Sequence, residues 1–253
     1  MSYNILHPEW CSTHGYVPVN DRIGYVHDII VDYAPDVIGL QEADDNWHSA
    51  INSRICNETN YKFACKKNKY SEINMTTFLY NSSTVNLIEE NIVFLDDDDT
   101  FIRVLSVAVF ERKSDGRRFV VTNTHPAPSK TQAAKYAAHF KVLPDLIKAQ
   151  MSKYENLPFI MTGDFNTYEQ DATYTKFMNA TGVKDAKYKA KTLVKDYCTF
   201  SGFKVLPKPG NSKCIDHIFV NTQVGVKQFD VVTDHDVAYA SDHIPIYADV
   251  ILK

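Results

Sequence analysis

The segment Thr162-Gly163-Asp164-Phe165-Asn166 carries chemistry at a readable spacing. It closes an apolar run, Leu157-Pro158-Phe159-Ile160-Met161, that reads as a short buried strand. Residues two apart on a strand share a face, so Asp164 and Asn166 would present a carboxylate and an amide side by side where the chain leaves the sheet. Strand ends are where α/β proteins place their reacting groups. Taken alone, the segment is equally well a Gly-Asp turn.

Five more polar islands lie beside apolar, β-rich runs: Asn4 in Ser2-Tyr3-Asn4, Glu42 in Gly39-Leu40-Gln41-Glu42, His125 in Thr122-Asn123-Thr124-His125, Asp216-His217, and Asp242-His243. Each has an ordinary reading by itself. Asn4 suits a turn, Glu42 suits the positive end of a helix, and His125 before Pro126 suits a strand end. Together they supply hard oxygen donors, Glu42 and Asp242, matched to Mg²⁺ or Mn²⁺. They add amides for phosphate oxygens, Asn4 and Asn166, and imidazoles that can pair with carboxylates. Phosphoester hydrolysis needs this set: charge compensation, a carboxylate to orient water, and donors aimed at developing negative charge. The chain has no G-x-S-x-G elbow, no Walker A loop and no G-x-G-x-x-G fingerprint, which removes serine-hydrolase and common nucleotide-loop readings.

The positioning elements follow from periodicity. Ile23, Val26, Ile30 and Tyr33 predict a helix capped by Asn20 or Asp21 and ended by Pro35. Residues 36–40 then form a strand, residues 46–55 a helix, and residues 74–80 and 101–111 two strands. Ser114-Asp115-Gly116 turns the chain into a strand over 118–124, an antiparallel hairpin. Ser129 and Gln132 have capping-box spacing ahead of a helical stripe, Ala133, Tyr136, Phe140, Leu143 and Ile147, which Pro144 should kink or break. A helix carrying Tyr174, Phe177 and Met178, a strand over 214–220 and a closing strand over 244–252 complete the pattern. The 253 residues show no repeat, linker or composition break, so residues 1–253 read as one domain. Its first residues look like the middle of a strand, as in a chain whose first strand is trimmed.

Hydrophobic residues make up 44% and charged residues 23% of the chain, as in a globular protein. A net charge of −4 argues against strong non-specific nucleic-acid binding, which needs a basic footprint. It leaves room for a nuclease, because bound cations supply local positive charge. The five cysteines, an odd number without a C-x-x-C pair, read mostly as free thiols, with a Cys56–Cys65 bridge left open. No apolar stretch is long enough to span a bilayer. A monomer is expected, cytoplasmic as given, or secreted where a signal peptide has been removed upstream.

The ordered motifs SYN, LQE, THPAP, GDFN, IDHIFV and SDHIP resemble the endonuclease/exonuclease/phosphatase superfamily, of DNase I-like fold, from Ser2 to the C-terminus. The resemblance implies an α/β (α+β) four-layer sandwich: two packed, mostly antiparallel mixed sheets flanked by helices. It implies a divalent-metal-dependent phosphoesterase that uses water directly. Glu42 would bind the metal, with Asn4 and Asp242 close to it. Asp164 would activate water, Asn166 hold a phosphate oxygen, and His243 pair with Asp216. His125 would contact phosphate from the other side, supported by Glu72, and Arg103 would add a phosphate contact. The substrate stays open among nucleic acid, lipid and small-molecule phosphoesters. A non-catalytic binding module on the same fold is the remaining alternative, against which Asp164 and His243 both stand. The loops expected to set the substrate are Tyr61–Ser71 and Asp185–Ser212.

Three other features read as non-sites. Asp96–Asp99 reads as an exposed acidic loop. His7, Cys11 and His14 lack a fourth zinc ligand. Lys184, Lys187, Lys189, Lys191 and Lys195 read as a solvated face rather than a basic rim.

Overall fold

The computed structural model describes residues 1–11, 14–67, 72–95, 103–200, 202–207 and 214–253. Strand β1 (Ser2–Asn4) is short and fully buried. Helix α1 (Val19–Tyr33) follows, burying Ile23, Val26 and Ile30. Ala34 ends it in a left-handed conformation (φ 42°), donating its N–H to Ile30 O, and Pro35 forbids continuation. Pro18 holds the N-cap position without a side-chain cap bond, so Asn20 and Asp21 lie inside the first turn rather than capping it. The chain returns as β2 (Val37–Gln41), parallel to β1 with Asn4 opposite Gln41.

Asp44 caps α2 (Asp45–Ile51) by accepting from Trp47 N, and the helix widens into a π-turn over Asn52–Cys56. Strands β3 (Tyr61–Ala64) and β4 (Phe78–Asn81) pair antiparallel. The strand expected from residue 74 starts only at Phe78. Asn74 instead spends its side-chain amide on Cys65 O, Thr76 O and Ser106 Oγ, which holds the preceding loop. Strands β5 (Val85–Phe94), β6 (Val104–Arg112) and β7 (Arg118–Thr124) form an antiparallel meander. Helix α3 (Ala133–Lys153) continues past Pro144, so the break allowed for there does not occur. Burial of Leu143 and Ile147 beneath the helix outweighs the lost hydrogen bond. No capping box forms, since Gln132 itself sits at the cap position and makes no side-chain cap bond.

Strand β8 (Phe159–Asp164), helix α4 (Ala172–Thr181), the short β9 (Lys184–Asp185), α5 (Ala186–Lys189) and β10 (Thr192–Leu193) come next. Strands β11 (Asp216–Val220) and β12 (Val224–Val231), helix α6 (Val237–Ala240) and strand β13 (Ile246–Leu252) finish the chain. One sheet has the order β10-β12-β13-β1-β2-β4-β3, the other β5-β6-β7-β8-β11-β9. The sheets pack face to face through Ile38, Phe110, Val121, Ile160 and Ile218, in a core continuous with α1 and α2. A second core lies between the outer face of the other sheet and helices α3 and α4, around Val109, Met161, Leu143 and Phe177. The result is the expected four-layer sandwich.

A polar cross-link ties the sheets beneath one end. Gln41 Nε2 donates to Asn123 Oδ1 at 2.7 Å, and Asn123 Nδ2 donates to Leu40 O at 2.7 Å. Thr162 Oγ1 reaches the same Asn123 Oδ1 at 3.1 Å. Gly39 permits this approach: a Cβ there would fall 2.1 Å from Thr162 Oγ1. No described helix is long and apolar enough to cross a membrane.

Candidate active site

β1 lies between β13 and β2, and β8 between β7 and β11. The C-terminal ends of these two central strands meet across the sandwich. Asn4 Nδ2 bridges them, donating to Glu42 Oε1 at 2.9 Å and to Asp164 Oδ2 at 3.0 Å. Its Oδ1 accepts from Leu6 N at 3.0 Å, so the amide is fixed at both ends. Glu42 stands in a left-handed conformation (φ 63°) just past β2, and its Oε2 accepts from His7 N at 2.7 Å.

Asp164 and Asp216 are directly opposed across the β8–β11 ladder. Like charges so placed repel. His243 relieves this: Nδ1 lies 2.8 Å from Asp216 Oδ2 and Nε2 lies 3.6 Å from Asp164 Oδ2. His125 Nε2 approaches the same Asp164 oxygen at 3.3 Å and Glu42 Oε1 at 3.9 Å. Asp164 Oδ1 accepts from Asn166 N at 2.9 Å, closing a turn in which Asn166 is left-handed (φ 51°). Asn166 Nδ2 donates to Pro126 O, which locks the turn to the end of β7.

The electrostatics follow from these contacts. Burial disfavours ionised Asp164, but the charges of the His243 and His125 imidazoles, with hydrogen bonds from His125 and Asn166 N, overcome it and hold the carboxyl well below its usual range. Burial likewise disfavours charged His243, yet Asp216 and Asp164 hold it well above the ordinary imidazole value. Asp216 is raised, by burial first. Burial, together with the charges of Glu42 and Asp164 and against that of His243, pushes Asp242 up to about 6.

Glu42, His125, Asp164, Asn166, Asp242 and His243 line a cleft of about 430 Å³, with Trp10, Lys130, Tyr168 and Phe200 on its walls. The sequence matches the Endonuclease/Exonuclease/phosphatase family over residues 1–243. The chain belongs to that family. No curated protein matches it in sequence. The fold is shared with an endonuclease/exonuclease/phosphatase from Bacteroides vulgatus, 22% identical, with 100% of this chain and 97% of that chain covered at a TM-score of 0.83. It is also shared with a Bacteroides thetaiotaomicron mannosyl-6-phosphatase, at 18% identity, 99% and 98% coverage and a TM-score of 0.79. A D. rerio TDP2 solved with single-strand DNA product aligns at 21% identity, 99% and 97% coverage and a TM-score of 0.74. Members of the family are hydrolases of phosphoester bonds.

Within this endonuclease/exonuclease/phosphatase scaffold, the residues singled out in the sequence are placed as follows. Glu42, His125, Asp164, Asn166, Asp242, His243 and Arg103 line one cleft, with Asn4 and Asp216 bonded directly behind it. Arg103 donates to His125 O at 3.0 Å and places its guanidinium 5.9 Å from the Trp10 ring centre. Glu72 is exposed on the segment between β3 and β4, and among the described ion-pair contacts the carboxylates nearest His125 are Asp164 and Glu42. Glu42 and Asp242 offer hard oxygens, and the oxygens of Glu42 and Asp164 stand within 4.8 Å of each other and of a His125 nitrogen, so the donor chemistry fits a divalent cation. Asn4, expected near the metal, uses its amide nitrogen on the two carboxylates.

Several contributors escaped the sequence reading. Ser241 Oγ donates to Asn4 O at 2.8 Å and accepts from His243 N at 3.2 Å, joining two motifs. Thr199 Oγ1 accepts from Asp216 N at 3.2 Å. Ser241 heads the SDHIP motif and was findable there, whereas Thr199 has no local signal. Of the two loops expected to set the substrate, only Phe200 reaches the cleft among the described residues; the other walls come from Trp10, residues 128–132 and Tyr168.

The remaining expectations also meet the structure. All five cysteines are free, so no Cys56–Cys65 bridge forms. Cys11 and His14 contact each other at 3.6 Å, while His7 stacks on Trp10. Lys187 departs from the solvated-face reading: it is buried against Glu169 and Asp196. Asp96–Asp99 lies outside the described residues.

Proposed function

We propose that this protein hydrolyses a phosphate ester of a small molecule by direct attack of water, with Asp164 as the base. The reading rests on one observation above others: a buried carboxylate kept ionised between two imidazoles at the floor of the cleft. An ionised Asp164 can orient water and take its proton. A charged His243, oriented through Nδ1 by Asp216, presents Nε2–H for negative charge developing on phosphate. His125 and Asn166 would hold phosphate oxygens from the neighbouring sides, and Arg103 would add a cationic contact. Glu42 and Asp242, steadied by Asn4, would hold Mg²⁺ or Mn²⁺. Such an ion, when bound, offsets phosphate charge.

A small substrate is favoured over nucleic acid by the cleft itself. A polynucleotide needs several Lys or Arg side chains along its track, and the described lining supplies Arg103 and Lys130. The aromatic walls of Trp10, Tyr168 and Phe200 suit the body of a compact organic phosphate.

The test is a panel of sugar phosphates, nucleoside monophosphates, inositol phosphates, bis-p-nitrophenyl phosphate and plasmid DNA, with Mg²⁺. Turnover of a small phosphate should exceed that of plasmid DNA. It should stop with EDTA and fall about 10²–10⁴-fold in Asp164→Asn. Turnover that survives both changes would sink the assignment, and preferred plasmid cleavage would overturn the substrate class.

A further inference from the structure

The turn that follows His125 reads Pro126-Ala127-Pro128. Proline has no backbone N–H, so Ala127 supplies the one amide donor in this run. Ala127 is fully buried, and a buried N–H demands an acceptor. It finds Nδ1 of His139, at 3.0 Å. His139 is itself fully buried and heads the inward stripe of α3, followed by Leu143 and Ile147 at helical spacing. An aliphatic side chain would continue that stripe. The imidazole in its place answers the Ala127 amide instead.

The carbonyls of the same turn are held as well. His125 O accepts from Arg103 at 3.0 Å, Pro126 O from Asn166 Nδ2 at 3.0 Å, and Pro128 O from Gln132 N at 3.0 Å. Arg103, Asn166 and Gln132 line the cleft. His139 stands behind it and ties the turn to the body of α3. Because the amide is the donor, Nδ1 carries no proton, and the neutral ring keeps its proton on Nε2. Next to the turn, His125 Nε2 stands 3.3 Å from Asp164 Oδ2.

We propose that His139 is a positioning residue for phosphate-ester hydrolysis: through the Ala127 amide it fixes the Pro126–Pro128 turn and so aims His125 and Asn166 at the phosphate. The role rests on the hydrolytic reading of the cleft. A donor displaced by a fraction of an ångström loses its effect on the reacting group. Glu42 and Asp242, with the walls Trp10, Tyr168 and Phe200, lie on other segments of the chain. Loss of the His139 acceptor should therefore appear in kcat and spare KM. Two substitutions separate the acceptor from the packing. Leu fills the stripe and accepts nothing. Asn keeps an acceptor, since its Oδ1 hangs from Cγ as Nδ1 does.

One readout is independent of turnover. Measured against the amides of β8, the Ala127 amide should exchange slowly with deuterium in the intact protein and in His139→Asn, and at least about tenfold faster in His139→Leu. The second readout uses a phosphate ester that the intact protein hydrolyses, assayed below the melting temperature of each variant. In His139→Leu, kcat should fall about 10–100-fold with KM within about threefold, and His139→Asn should recover most of that loss. In a His125→Ala background the same Leu substitution should cost about threefold or less, because the group it aims is gone. An Ala127 amide equally protected in all three proteins would overturn the hydrogen bond. A loss carried by KM, a loss that Asn does not relieve, or one undiminished in the His125→Ala background would overturn the positioning role. An Ala127 amide that responds as expected, in a protein that hydrolyses no phosphate ester, would instead remove the reading of the cleft on which the role rests.

Discussion

Asp164 shows how one side chain is tuned by its neighbours. Its two oxygens meet Asn4, His125, His243 and the Asn166 amide, each a donor or a cation when charged. The linkage has a definite sign. Asp164 titrates lower folded than unfolded, so it stabilises the fold above the ordinary carboxylate range and that contribution fades as pH falls through its depressed value. His243 titrates higher folded than unfolded, so its contribution is full below the ordinary imidazole value and fades as pH rises through its raised value. Asp242 behaves oppositely to Asp164. Raised to about 6, it binds its proton more tightly folded, so this group favours the fold on acidification and must lose that proton to ligate a cation. Mn²⁺ affinity, measured by titration calorimetry, is therefore expected to hold near pH 7.5 and to weaken up to about tenfold per pH unit below about 6. An affinity flat from pH 7.5 to 5 would remove Asp242 from the cation site.

At the scale of elements, the strands were legible where alternation was clean and misread where tertiary contacts decided. β7, β8 and β11 are apolar runs bounded by polar motif residues, and those ends carry the site. β5 and β12 were missed. Each contains a register irregularity, Leu87/Glu89 and Val226/Gln228, that breaks the two-residue period. Pro144 does not break α3, whose Leu143 and Ile147 stay packed beneath it. Gly39 is a residue whose meaning lies wholly in what faces it. Gly39→Ala should cost about 2–3 kcal/mol by driving a methyl into Thr162 Oγ1, with part of the loss recovered in the Gly39→Ala/Thr162→Ala double variant. Urea unfolding measures both. A loss under about 0.5 kcal/mol would mean the sheets do not approach as described.

For the whole molecule, stability comes from two cores and polar cross-links rather than covalent bridges. Burial raises Cys56 to about 11 and Cys65 to about 12, which keeps both thiols protonated and unreactive at neutral pH. Melting temperature should therefore be the same with and without dithiothreitol; a drop on reduction would reveal a bridge. Fold family and the chemical alphabet of the site were fixed by local sequence, because six short motifs each pair an apolar strand with a polar end. Tertiary structure alone decided the wiring: Asn4 joining Glu42 to Asp164, His243 set between two opposed aspartates, and Trp10 and Tyr168 as walls. The partners are far apart in sequence: Asn4 reaches across 38 and 160 positions, and His243 reaches Asp216 across 27. Periodicity reports only which face a side chain takes within its own strand, and the packing of two sheets determines what it meets.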